Sequence, residues 1–144
     1  MRIRNVLLAM GASLGLVLTV PGAANASHAT GSASVSNSYG RASASWTWQN
    51  SSSLSGISLH VKDTNCNSNP VYAYFRVTRT NGDTWHTSTY RYDYNGCNGG
   101  GTTHPGLSLS DGYYIKYIAI RLCNDQLGTD PCTTGSNSGA NPHA

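Results

Sequence analysis

The run VYAYFRVTRT (Val71–Thr80), the dipeptide Asn81-Gly82 and the run DTWHTSTYRYD (Asp83–Asp93) constrain the fold of this chain more than any other feature. Asn-Gly between two runs rich in β-branched and aromatic residues is the strongest short-range hairpin signal, because a two-residue type I′ turn needs φ > 0 at both central positions. With Asn81 and Gly82 as the turn, Thr80 faces Asp83. Counting outward then sets Thr78 against Trp85, Tyr72 against Arg91 and, at the base, Cys66 against Cys97. Pro70 and Asn95-Gly96 make the ladder irregular there, so the two cysteines are expected near one another rather than in ideal register. Cys123 and Cys132 remain, and they close the short loop NDQLGTDP. In the chain-entropy model the two bridges contribute about 3.5–4 and 2.5–3 kcal/mol respectively. No C-x-x-C and no His/Cys metal spacing is present, so the bridges read as structural and no metal or cofactor is expected.

The same register sorts the side chains. Val71, Ala73, Phe75 and Val77 are expected to share a core face with Tyr92, Tyr90, Ser88 and His86. The opposite face carries Tyr72, Tyr74, Arg76 and Thr78 beside Arg91, Thr89, Thr87 and Trp85. Flat rings stack on the apolar faces of sugars, and guanidinium groups hydrogen-bond hydroxyls and carboxylates at their edges. Tyr72, Tyr74, Arg76, Trp85 and Arg91 are therefore the candidate ligand-binding residues. The competing expectations are that they only stabilise one another by cross-strand contacts, or that the Trp46/Trp48 strand covers them.

Elsewhere the pattern is also that of strands. Arg41–Gln49 alternates Ala42, Ala44, Trp46 and Trp48 with Ser43, Ser45 and Thr47, and Ile57, Leu59 and Val61 alternate with Ser58, His60 and Lys62. Ser51–Gly56 reads as a polar connector and Asn95–Gly106 as a glycine-rich loop, with a brief strand at Leu107 and Leu109. Tyr113–Cys123 closes the core through Ile118, Ile120 and Leu122, and a last short strand surrounds Cys132. Six to seven short strands with turn signals between them, and no helical period, predict an all-β antiparallel sandwich; a small β-barrel is the alternative. Residues 39–132 form this domain, residues 27–38 a loosely ordered arm or a weak first strand, and residues 133–144 a flexible tail whose composition does not offset its ordering entropy.

Arg2 and Arg4, an apolar run from Val6 to Val20, Pro21-Gly22 and the small residues of Ala24-Asn25-Ala26 read as a secretory signal peptide over residues 1–26. The run is shorter than the ~20 residues of a membrane span, so no stable membrane anchor is expected. Removing Arg2 and Arg4 leaves seven of the nine basic residues against six acids, a charge near +1 with no concentrated basic patch, which argues against a nucleic-acid partner. All four cysteines follow the cleavage point, in keeping with an extracellular domain cross-linked because its core is small.

VYAYFRVTRTNG followed by GYYIKYIAIRLCND resembles stretches of small secreted actinobacterial proteins of uncharacterised function, over roughly residues 57–132. The resemblance implies an exported all-β fold and carries no catalytic or binding residue with it.

Catalysis has little to stand on. The chain has no Glu, and its six Asp residues lie mostly in turn contexts where Asp has a local backbone role. Beyond the expected cleavage point no Ser sits in a G-x-S-x-G elbow. No catalytic residue is assigned, and the protein is expected not to be an enzyme. The expectation is a secreted, monomeric, non-catalytic module that binds an extracellular polymer or surface, such as a polysaccharide or cell-wall polymer, through its aromatic and arginine strand face. The first alternative is an inhibitor of a secreted hydrolase acting through the loops Asn95–Gly106 or Asn124–Pro131. The second is a small hydrolase using His104 and an Asp.

Overall fold

The computed structural model describes residues 28–144; the expected signal peptide and its cleavage point lie outside the described residues. Period-two alternation produces the long strands. β1 (Thr30–Ser36), β2 (Gly40–Asn50) and β3 (Ser53–Asp63) run antiparallel, and β7 (Thr102–Ser110) pairs with β3 to complete a four-stranded sheet. The second sheet has five strands: β4 (Val71–Arg79) at its centre, β8 (Ile115–Asn124) and then β9 (Cys132–Thr134) on one side, and the short β5 (Thr84–His86) and β6 (Arg91–Tyr92) on the other. No helix occurs among the described residues, and none there is long and apolar enough to cross a membrane.

The two sheets share no ladder, so the chain is a sandwich and not a closed barrel. Ala42, Ala44, Trp46 and Trp48 of β2, with Leu59 and Val61 of β3, face Ala73, Phe75 and Val77 of β4 and Ile118, Ile120 and Leu122 of β8 across the core. The indoles of Trp46 and Trp48 meet edge to face. Trp46 lies over Gly31 of β1, where any Cβ would collide with the ring, so the first strand is built around the tryptophan it covers.

Three departures from the sequence-based expectations bear on the site. Residues 30–36, expected as part of a loose arm or a weak first strand, are a strand that pairs with β2 along its whole length. A run of Ser, Ala and Gly has little to bury, but an edge strand needs only backbone partners and one half-covered face. Residues 133–144, expected as a tail, lie along β8 instead. Gly135, Ser138 and Asn141 donate backbone N–H groups to Ile120, Ile118 and Lys116 in turn, and Asn141 Nδ2 reaches the carbonyls of Asn50 and Ile115. Backbone hydrogen bonding, which composition does not report, holds this segment.

Third, β3 begins within the expected connector. Gly56, at φ 59°, sits in an irregularity that lets Leu54 and Ile57, three residues apart, both point inward.

Both disulfides form as expected, Cys66–Cys97 and Cys123–Cys132, with Cα atoms 5.2 and 4.2 Å apart. The second joins directly opposed residues of β8 and β9.

Candidate functional site

The hairpin forms, but its turn is one residue longer than the two-residue form. Arg79 N–H donates to the Asp83 carbonyl at 2.8 Å and Gly82 N–H to the Arg79 carbonyl at 3.1 Å, so Thr80, Asn81 and Gly82 make a three-residue loop. Only Gly82 of these adopts positive φ, 93°. A type I turn closed by a left-handed glycine is the next-commonest hairpin solution, and it moves the register by one. Arg76 faces His86 and Val77 faces Trp85. A one-residue shift sends every following side chain to the other face. Beyond Thr87 the ladder slips again, so that Tyr72 opposes Tyr92 and Ala73 opposes Arg91.

The five candidate residues therefore divide. Tyr72, Tyr74 and Arg76 lie on the outer face of the five-stranded sheet; Trp85 and Arg91 lie on the inner side. His86, Tyr90 and Tyr92, expected in the core, join the outer face instead.

There the rings form a continuous ladder. Tyr72 stacks on Tyr74 at 6.1 Å between centroids, Tyr90 lies 4.8 Å from Tyr72 and 5.0 Å from Tyr74, and Tyr92 lies 5.1 Å from Tyr72. Tyr94 extends the row at 6.5 Å from Tyr92, and histidines close both ends, His86 against Tyr74 and His104 against Tyr94. Tyr72 at the centre is only 5 % exposed, while Tyr90 and Tyr94 are 48 and 75 % exposed.

The bridged loop after β8 holds the ladder from one side. Tyr72 Oη donates to Asp130 Oδ2 at 2.6 Å and Tyr92 Oη to Asp125 Oδ2 at 3.1 Å. Burial, reinforced by these carboxylates, raises both phenols above their ordinary range. The Tyr72 hydroxyl in turn lowers Asp130. Both tyrosines are thus fixed hydrogen-bond donors.

Arg76 and Arg121 share this face next to Tyr74, which opposes Arg121 across β4 and β8. Arg76 Nη2 donates to Asn137 Oδ1 at 3.0 Å and Arg121 Nη1 to Thr134 Oγ1 at 3.2 Å. Burial, with Arg121 and Arg76 nearby, lowers His86, so the imidazole at this end of the ladder is neutral near pH 7.

The inner side is different. Trp85, Arg91, Ile57, Leu59, Phe75 and Leu107 line a crevice of about 260 Å³ between the sheets, below the usual ~300–1,000 Å³ of small-molecule sites. Trp85 is committed there: its Nε1 donates to Asp111 Oδ2 at 2.6 Å. Arg79 holds the same carboxylate through two bonds of 2.8 and 2.9 Å, and the Arg79 guanidinium lies 4.4 Å from the Tyr113 ring centre. The Arg79 bonds, joined by the Trp85 and Tyr113 N–H groups, hold the Asp111 carboxyl below its ordinary range against the opposing effect of burial.

His60 and His104 are engaged with neutral groups. His104 Nε2–H donates to the Tyr92 carbonyl at 2.9 Å, and His60 Nδ1 pairs with Thr103 Oγ1 at 3.0 Å. Asp93 accepts from Asp63 N, Asn95 N and Thr102 Oγ1, which makes it a loop organiser. No group of three or more metal-ligating side chains occurs among the described residues.

Sequence patterning alone does not bring Tyr90, Tyr92, Tyr94 and Arg121 to the site. The alternation Ile118-x-Ile120-x-Leu122 does turn Arg121 outward, but nothing in it says that β8 lies beside β4 with Arg121 next to Tyr74. Fold and site together define a two-disulfide all-β sandwich with an aromatic and cationic outer sheet face. No family model, curated protein or solved structure matches the chain.

Proposed function

We propose that this protein is a secreted, non-catalytic module that binds an extracellular polymer, and that the ladder Tyr74–Tyr90–Tyr72–Tyr92–Tyr94 is its contact surface. The observation that carries the reading is the contrast within the ladder. Its central hydroxyls are held by Asp130 and Asp125, whereas the rings of Tyr90 and Tyr94 stay open to solvent. A row of rings held in place before binding loses little entropy on contact, and each open ring face suits the apolar face of a sugar. Two disulfides are consistent with an extracellular protein.

The test is retention of the oxidised chain on insoluble chitin, cellulose and cell wall, beside a Tyr74→Ala/Tyr90→Ala variant of matched circular dichroism. Retention of the native chain alone supports the reading; equal retention of both removes the ladder from it. Trp85→Ala is a poor probe, because it breaks the Asp111 network.

A second reading has its own observation. Leu127, fully exposed, sits at the tip of the Asn124–Pro131 loop, beside Gly128 at φ 97°. The loop is closed by Cys123–Cys132 and fastened by Gln126 N to Asp130 Oδ1 and by Tyr39 Oη to the Pro131 carbonyl. An apolar side chain on a pinned loop suits an inhibitor of a secreted hydrolase. Inhibition of a secreted protease that is lost in Leu127→Asp and kept in Tyr74→Ala/Tyr90→Ala supports this reading over the first.

A further inference from the structure

Arg76 and Arg121 are diagonal neighbours on β4 and β8, on the same outer face as Tyr74. Their Nε atoms are both buried and lack a hydrogen-bond partner. Their remaining side-chain bonds go to the neutral oxygens of Asn137 and Thr134. Among the described residues the one ion pair is Arg79–Asp111. The other aspartates near this sheet are spent on tyrosine hydroxyls, on the Asn81 side-chain amide or on turn backbones. Two guanidinium groups side by side, each partly buried and without a counter-charge, leave this face short of an anion. Their planar forks match carboxylate, sulfate and phosphate oxygens better than sugar hydroxyls. Tyr74 is the direct cross-strand neighbour of Arg121, so the aromatic ladder begins beside that anion position.

We infer that Arg76 and Arg121 form an anion subsite at the His86 end of the tyrosine ladder, and that the polymer is an acidic polysaccharide. A sugar ring packs on Tyr74 while its charged substituent takes the Nη groups of the two guanidinium groups, whose Nε atoms are buried beneath. The inference rests on the polymer-binding reading and names its substrate class.

The experiment compares the oxidised chain, Arg76→Gln/Arg121→Gln and Tyr74→Ala on polygalacturonate, its methyl ester, dextran sulfate and dextran by titration calorimetry. In parallel, the side-chain Nε–H signals of Arg76 and Arg121 are followed by NMR as free galacturonate or sulfate is added to the native chain.

The expected result is binding to at least one charged polymer and not to its neutral counterpart. Affinity falls at least ~10-fold in the double arginine variant, as expected for charge-assisted hydrogen bonds, and both Nε–H signals shift to saturation. Preference for polygalacturonate over dextran sulfate, or the reverse, assigns the substituent as carboxylate or sulfate. Equal affinity for charged and neutral polymers with no effect of the arginine changes overturns the subsite and leaves the ladder standing. No polymer binding, with saturable Nε–H shifts, keeps the anion subsite and overturns the polymer reading. Neither binding nor shifts overturns both. The NMR arm uses the native chain, so it decides the subsite even where the double variant fails to fold.

Discussion

Two corners of this small domain handle arginine in opposite ways. Around Asp111, the Arg79 guanidinium, the Trp85 indole and the Tyr113 backbone N–H converge on one carboxylate. On the outer face of β4 and β8, Arg76 and Arg121 find only neutral oxygens, and their Nε atoms have no partner. The first corner is closed electrostatically and needs nothing from outside. The second is open. Polar groups satisfied within the fold hold it together, and groups left unmatched beside exposed rings are those free to meet a partner. Trp85 and Tyr74 are both aromatic side chains of the same hairpin, yet only Tyr74 belongs to the open corner.

The harshest test removes the bridge behind the open face. Cys123→Ser/Cys132→Ser is expected to lower stability by about 2.5–3 kcal/mol through its short loop. It should also weaken polymer retention, because that loop carries the Asp125 and Asp130 acceptors of the ladder. Chemical denaturation and retention, measured on the same sample, check both.

At the closed corner, Asp111→Ala leaves the Trp85 N–H without its acceptor, at a cost of about 1–3 kcal/mol. Polymer retention below the unfolding transition should not change; if it falls together with stability, the two corners are coupled and the contrast fails. Acid sharpens the same point. Asp111 has a lower pKa folded than unfolded, so its contribution is present above the ordinary carboxylate range and disappears as pH falls through the lowered value. Urea midpoints measured down the acid range should drop less steeply in Asp111→Ala than in the native chain.

Tyr74→Ala is expected to lose only about 0.5–1.5 kcal/mol of stability, the value of aromatic pairing, while abolishing most polymer retention. A large stability loss with retention intact would return the ladder to a purely structural role.

The smallest effect lies at high pH. Tyr72 and Tyr92 have raised phenol pKa values, so their contribution is complete below the ordinary phenol pKa of about 10 and is lost as pH rises through the raised values. Ultraviolet titration should show late-ionising tyrosines, one fewer of them in Tyr72→Phe.

The sequence is legible where structure is local. Ala42 to Trp48, Leu59 to Val61 and Ile118 to Leu122 announce their inward faces by alternation alone, and those faces form the core. Leu54 escapes because the Gly56 irregularity breaks the alternation that would reveal it. In the candidate site, Tyr72, Tyr74 and Arg76 share one face, as alternation predicts. Trp85 and Arg91 do not join them, because one extra residue in the turn inverts every position after it. The Cys66–Cys97 pairing emerges although the register that suggested it does not, since two opposite slips along the hairpin bring its base back nearly where simple counting put it.

The sequence by itself determined the all-β class and the inward faces of β2, β4 and β8, because these follow from period-two alternation, and the Cys123–Cys132 bridge, because it closes over a short separation of 9 residues. Tertiary structure alone decided that Tyr90 and Tyr92 join the outer ladder, that the C-terminal segment lies along β8, and that Arg121 stands beside Arg76. Those facts depend on which strands become neighbours and in what register, and packing between distant segments sets that.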